Sequence, residues 1–194
     1  MDQSGRGNMH PYFFGYGSLV NRDSHSYQGA ERAQLAGWRR RWVRTKGREL
    51  AFLSVVPDGA TIIDGLIAEV PGDDWAALDA REHGYDRLPS GNAVRHGLRA
   101  SPQVSHYSVP EHSWVEDGDH AVLLSYLDVV VQGFLREYGS EGVTRFFATT
   151  DGWETPILND RADPQYPRAM KLSAQETALV DQHLADNGAF IRAA

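Results

Sequence analysis

Cysteine is absent from the 194-residue chain, which excludes disulfides, thiol nucleophiles and every zinc site built on thiolate. No uninterrupted apolar run approaches the ~20 residues that a membrane-spanning helix needs. The opening stretch, MDQSGRGNMH, has no apolar centre of the kind a secretory signal carries. Basic charge is also scarce. Nineteen Lys and Arg stand against 26 Asp and Glu, and the net charge of −7 repels phosphate backbones. The one basic cluster, WRRRWVR at 38–44, alternates with aromatic and aliphatic residues and reads as a half-exposed strand. Neither nucleic acid nor membrane is expected as a partner, and the cytoplasm is the default compartment. The eight histidines are scattered, with no H-E-x-x-H pair.

With those classes set aside, a soluble globular composition remains: 41% hydrophobic and 23% charged residues, without internal repeat or domain boundary. A loose tail is expected over residues 1–11, and one domain over 12–194. The first two-thirds is strand-rich. YFFGYGSLV at 12–20 is an aromatic strand that runs into a glycine turn, with Phe13 and Phe14 buried. AQLAGWRRRWVRT follows as a strand. ELAFLSVV and ATIIDGLIAEV then read as a hairpin turned at Pro57-Asp58-Gly59. Asp73 is positioned to cap a helix that ends at Gly84. The last third is helical. AVLLSYLDVVVQGFLREYG carries a helical apolar period, SEGVTRFFATT is a shorter helix, and SAQETALVDQHLADNG opens on a capping box of Ser173 and Glu176. Between them, DGWETPILNDRADPQYPRAM should run irregularly over the surface or a cleft.

Two features invite chemistry. On a helical wheel Trp75 and Leu78 define the apolar face of the 73–83 helix, and Glu82 falls between them while Arg81 points away. A carboxylate in that stripe loses water, so its pKa rises and it can exchange a proton near neutrality. The bland alternative is a helix-end glutamate that reaches solvent or pairs with an arginine. A metal site of Asp79, Glu82 and His83 lacks a further ligand at recognisable spacing. The second feature is Gly15-Tyr16-Gly17-Ser18-Leu19. Backbone amides in a turn with so few side chains can converge on an anion. The turn matches neither a nucleophile elbow nor a phosphate loop.

Taken together, FGYGSL and the later LDAREHGYDR resemble the γ-glutamylcyclotransferase-like superfamily, whose marks are a Tyr-Gly-Ser-Asn/Leu loop and one glutamate in an L-D-x-x-E…Y context. The matching residues are Tyr16, Gly17, Ser18 and Leu19, then Leu78, Asp79, Glu82 and Tyr85, with Tyr126 at the position of a pocket tyrosine. The resemblance covers about residues 12–140 and implies an α+β fold, a mixed β-barrel with surrounding helices. Residues from about 140 to 194 resemble an extension.

The resemblance also implies a reaction. A γ-glutamyl amide would be cyclised to 5-oxoproline with release of an amine, Glu82 acting as general acid and base. Tyr16, Gly17, Ser18, Leu19, Tyr85 and Tyr126 would bind the substrate. No metal, nucleotide or other cofactor is implied, and a homodimer stays open. FGYGSL leans toward the branch that acts on glutathione. Other segments of that branch are not intact here, since VNRDSH follows the loop where a tryptophan is usual. Asn159, Asp160, Arg161, Tyr166 and Arg168 either border the pocket or pair with one another. Two other classes compete: a module on the same fold that binds a small acid without turnover, and a β-rich structural adaptor.

Overall fold

The structure is a computed structural model that describes residues 10–99 and 101–193. In chain order its strands are β1 (Tyr12–Gly15), β2 (Glu31–Val43), β3 (Phe52–Glu69), β4 (Asp86–Pro89), β5 (Val94–His96), β6 (Val104–Ser108), β7 (Val122–Leu123), β8 (Thr150–Asp151), β9 (Ile157–Asn159) and β10 (Ile191–Ala193). The helices are α1 (Ala76–Arg81), α2 (Leu124–Ala148) and α3 (Ala174–Asp186). Of the tail expected over residues 1–11, only His10 and Pro11 fall among the described residues. The Pro11 carbonyl accepts from the Val70 amide at 2.9 Å.

Alternation along β1 sets the layers. Successive side chains of a strand point to opposite faces, so Phe13 and Phe14 serve different cores. Phe14 joins the main cluster with Leu35, Val55, Ile63, Leu127 and Phe134. Phe13 joins a smaller one with Leu19, Val70, Leu78 and Tyr107, on the side that carries α1. Both phenylalanines are buried because β1 lies inside the sheet, antiparallel to β3 and parallel to β6. The main sheet runs β4-β6-β1-β3-β2-β5, with β8 added beside β2, and curls into a half-barrel. The α+β class and the half-barrel with helices are those the sequence resemblance implied.

Several local expectations change. Pro57-Asp58-Gly59 does not turn a hairpin, because β3 runs straight through it and pairs with β2 on both sides. The register shifts between Ala36 and Trp38, and the residues after Pro57 bulge out. There the Asp58 carboxylate accepts from the Ala60 amide at 3.1 Å and from Thr61 Oγ1 at 2.6 Å. The local turn chemistry is present, but it feeds a bulge. Helix α1 is shorter than the 73–83 expected. Gly72 and Asp73 take positive φ of 61° and 60°, and Asp74, in place of Asp73, accepts from the Ala76 amide at 2.9 Å. The two helices read in 121–150 are joined as α2, with a break at Gly139 where φ is 68°. The last third also holds a small parallel sheet, β10-β9-β7, which the sequence did not announce. The capping box at Ser173 and Glu176 is formed. No helix among the described residues is long and apolar enough to cross a membrane.

Candidate active site

Past Gly15, β1 leaves the sheet and tightens into a single turn at Ser18–Val20, the Val20 amide donating to the Gly17 carbonyl at 2.9 Å. The bare backbone here has neighbours that demand it. A Cβ on Gly15 would lie 2.5 Å from Leu19 Cβ, and one on Gly17 would lie 2.6 Å from Tyr126 Oη. Glycine is thus required for packing, whatever else approaches the loop. Among the described residues no backbone carbonyl accepts from the Gly17 or Ser18 amides. The Ser18 amide faces the Tyr126 hydroxyl.

Behind the loop sits Arg40, fully buried. Its Nε donates to the Tyr16 carbonyl at 2.9 Å, Nη1 donates to Thr149 Oγ1 at 2.9 Å, and Nη2 donates to the Asp64 carbonyl. The guanidinium also lies over Phe134 and Phe146, 4.8 and 5.1 Å from their centroids. A trans peptide points its N–H opposite to its C=O. Holding the Tyr16 carbonyl toward Arg40 therefore turns the Gly17 N–H the other way. The cluster 38–44 had read as a half-exposed strand face, and this residue departs from it.

Glu82 stands at the C-terminal end of α1, its amide donating to the Leu78 carbonyl at 2.9 Å. Leu78 is buried and the Glu82 side chain is 19% exposed. Burial pushes the Glu82 pKa up, against Arg81 and Arg168, which both pull it down. Arg81 does not point away as the wheel implied. Its Nε lies 3.2 Å from Glu82 Oε1, because the helix ends there and the two neighbours fold toward each other.

The structure brings Tyr16, Gly17, Ser18, Leu19, Glu82, Tyr85 and Tyr126 together around a cavity of about 40 Å³. A larger cavity of about 200 Å³ shares Ser18, Leu53, Glu82, Tyr85 and Tyr126 with it and adds Arg81, His83, Tyr166 and Arg168. The tyrosines differ in what they can offer. Tyr16 donates to the Tyr107 carbonyl at 2.8 Å and Tyr85 to the Leu53 carbonyl at 3.0 Å, so their protons are directed at the protein. Burial raises the pKa of Tyr16, Tyr85 and Tyr126 well above that of a free phenol, and all three stay protonated.

Asp79 accepts from the Tyr107 hydroxyl and lies 3.7 Å from Arg87 Nε, which leaves it outside the cavity. Among the described residues no three His, Asp or Glu side chains converge as metal ligands do. In the late segment Arg161 pairs with Asp128 and Asp181, while Tyr166 and Arg168 reach the cavity. The sequence reading missed Tyr107 and Leu53, and it weighed His83 only as a metal ligand, whereas His83 lines the cavity. Each lies on a strand or loop whose neighbours are set only by the folded sheet.

No family model matches the chain, and no curated protein matches its sequence. Solved structures do share its fold. A gamma-glutamyl cyclotransferase superposes with a TM-score of 0.55 over 88% of this chain and 98% of its own, at 12% identity. YkqA from Bacillus subtilis gives 0.55 over 75% of this chain and 57% of its own, at 19% identity. An uncharacterized protein from Homo sapiens gives 0.55 over 90% and 99%, at 13% identity. At such identities the likeness establishes the fold, and the chemistry has to be argued from the site.

Proposed function

We propose that this chain is a cyclotransferase that closes a γ-glutamyl amide to 5-oxoproline and releases the amine, with Glu82 as general acid and base. The supporting observation is the meeting of Glu82 with the Gly17–Leu19 loop across one cavity, on the fold of a gamma-glutamyl cyclotransferase. The substrate supplies both nucleophile and electrophile, so the protein need only hold the folded conformer. The Gly17 amide, from which no backbone carbonyl among the described residues accepts, suits a carboxylate or a developing oxyanion. Glu82 takes a proton from the substrate's α-ammonium, and the freed amine attacks the γ-carbonyl carbon. As the amide C–N bond breaks, the same carboxyl returns that proton to the departing nitrogen, and the second proton, left on the ring nitrogen by the attack, passes by the same carboxylate to the released amine. Nothing is oxidised and no co-reactant is consumed. Positioned proton transfer of this kind is worth ~10²–10⁴-fold.

The test is Glu82→Gln, assayed for 5-oxoproline release from γ-glutamyl dipeptides, γ-glutamylamines and glutathione. The variant is expected to fold and to lose ~10²–10⁴ in kcat. Near-wild-type turnover would remove Glu82 from the mechanism. The wild-type rate should fall on acidification with a midpoint above the ordinary carboxylate value of 4.5, since burial favours the protonated form. A second reading draws on the Arg81–Glu82 contact at 3.2 Å: a carboxylate held by an arginine suits binding of a small acid without turnover. Binding of 5-oxoproline without its formation from any of those substrates would favour that reading.

A further inference from the structure

The charges around Glu82 are unevenly distributed. Besides Glu82 and the tyrosines Tyr85, Tyr126 and Tyr166, the titratable residues lining the larger cavity are Arg81, His83 and Arg168. An adjoining cavity of about 160 Å³ shares Phe52, His83 and Tyr85 with it and adds Lys46 and Arg48, with no acid in its lining. A protein of net charge −7 thus gathers cations at one mouth. That arrangement suits an anionic ligand.

Arg168 is brought there by a fixed strap. Asp160 is buried, and its carboxylate accepts from the Ser125 amide at 2.8 Å, from Ser125 Oγ at 2.5 Å and from the Gln165 amide at 2.9 Å. Tyr166 donates through its hydroxyl to Ser18 Oγ at 3.0 Å, and its ring meets Tyr126 edge to face at 5.0 Å. Pro167 follows and restricts the backbone of Tyr166. Arg168, the next residue, lies on the cavity wall. Arg81 is engaged with Glu82, whereas Arg168 has no carboxylate within 4 Å among the described residues.

The proposed reaction fixes which end of the substrate meets this cation. The Gly17 amide holds the γ-glutamyl end, and Glu82 must reach the departing nitrogen. In a γ-glutamyl amino acid the second carboxylate sits two bonds from that nitrogen. It therefore falls on the Glu82 side of the cavity, away from the loop. We propose that Arg168 binds a carboxylate carried by the departing amine, so that γ-glutamyl amino acids and peptides are favoured over γ-glutamylamines without an acid. The inference rests on the cyclotransferase reading. Arg168 is a specificity residue in it and takes no part in proton transfer.

γ-Glutamyl-alanine and γ-glutamyl-ethylamine differ by that one carboxylate and form the test pair. With wild-type protein, kcat/KM for 5-oxoproline release should favour the alanine compound by roughly 10–100-fold, the worth of a hydrogen bond to a charged group. Arg168→Gln should collapse the preference by raising KM for the alanine compound, and Arg168→Lys should keep part of it. Added salt should weaken the wild-type preference. Arg168 is exposed, and equal melting temperatures across the variants would show that the fold is intact. An Arg168→Gln variant with an unchanged preference, or with equal losses on both compounds, overturns the inference and leaves the cyclotransferase reading standing. Failure of wild-type protein to cyclise either compound overturns both.

Discussion

Glu82 is held between burial, which favours its neutral form, and Arg81, which favours the charge. Burial prevails, so the folded chain keeps this proton to a higher pH than the unfolded chain does. Stability must then fall as pH climbs from the ordinary carboxylate value of 4.5 to the raised native value, and stay lower above it. Glu82→Gln removes the charge while its amide oxygen can still accept from Arg81. The variant is expected to melt above wild type at pH 7, with the gap closing below pH 4.5. Melting curves across that range test it; a variant that melts lower at pH 7 would mean that the Arg81 contact outweighs burial. Of the residues at the site, Glu82 was legible because a carboxylate interrupts an apolar stripe. Arg40 was not. Nothing in WRRRWVR says which arginine faces inward, since that depends on acceptors at Tyr16, Asp64 and Thr149 supplied from elsewhere in the chain.

Single elements were legible where the signal is local. The aromatic strand, the helical period of α2 and the box at Ser173 each carry their own evidence in a few residues. The Pro57-Asp58-Gly59 turn misled because turn residues also serve a bulge, and only the partner strand β2 decides between them. Likewise the short strands β7, β9 and β10 depend on one another and show no pattern alone. The loop after β1 yields a prediction at this scale. In Gly17→Ala the new methyl would stand 2.6 Å from Tyr126 Oη, so Tyr126 or the loop must shift. Overpacking of this kind costs about 1–3 kcal/mol. Chemical denaturation should register that loss, and 5-oxoproline release should drop more than stability alone explains. A variant as stable and active as wild type would mean that the loop is softer than its packing indicates.

Across the whole molecule, the cavity joins pieces far apart in sequence. Arg40 links the end of β1 to Thr149, just beyond α2, and the strap carries Tyr166 back to Ser18. The sequence pointed to the loop and to Glu82 separately, and the family resemblance paired them. Polar and aromatic residues in the strap hinted at the pocket, but only the fold separates Arg161, which pairs with Asp128, from Arg168, which reaches the cavity. Asp160 anchors that strap. Asp160→Ala should cost about 1.5–3 kcal/mol per charge-assisted bond lost. It should also make residues 160–170 readily cleaved by protease, and a strap that stays resistant would assign the anchoring to Tyr166 instead.

The pairing of Tyr166 with Ser18 also sets a timetable for synthesis. Ser18 emerges 148 residues ahead of its partner. At ~5–20 residues per second, a ribosome leaves the Ser18 side chain without that partner for roughly 7–30 s. The pocket is therefore assembled last, from the tail of the chain, and competence arrives only when the returning tyrosine closes the circuit.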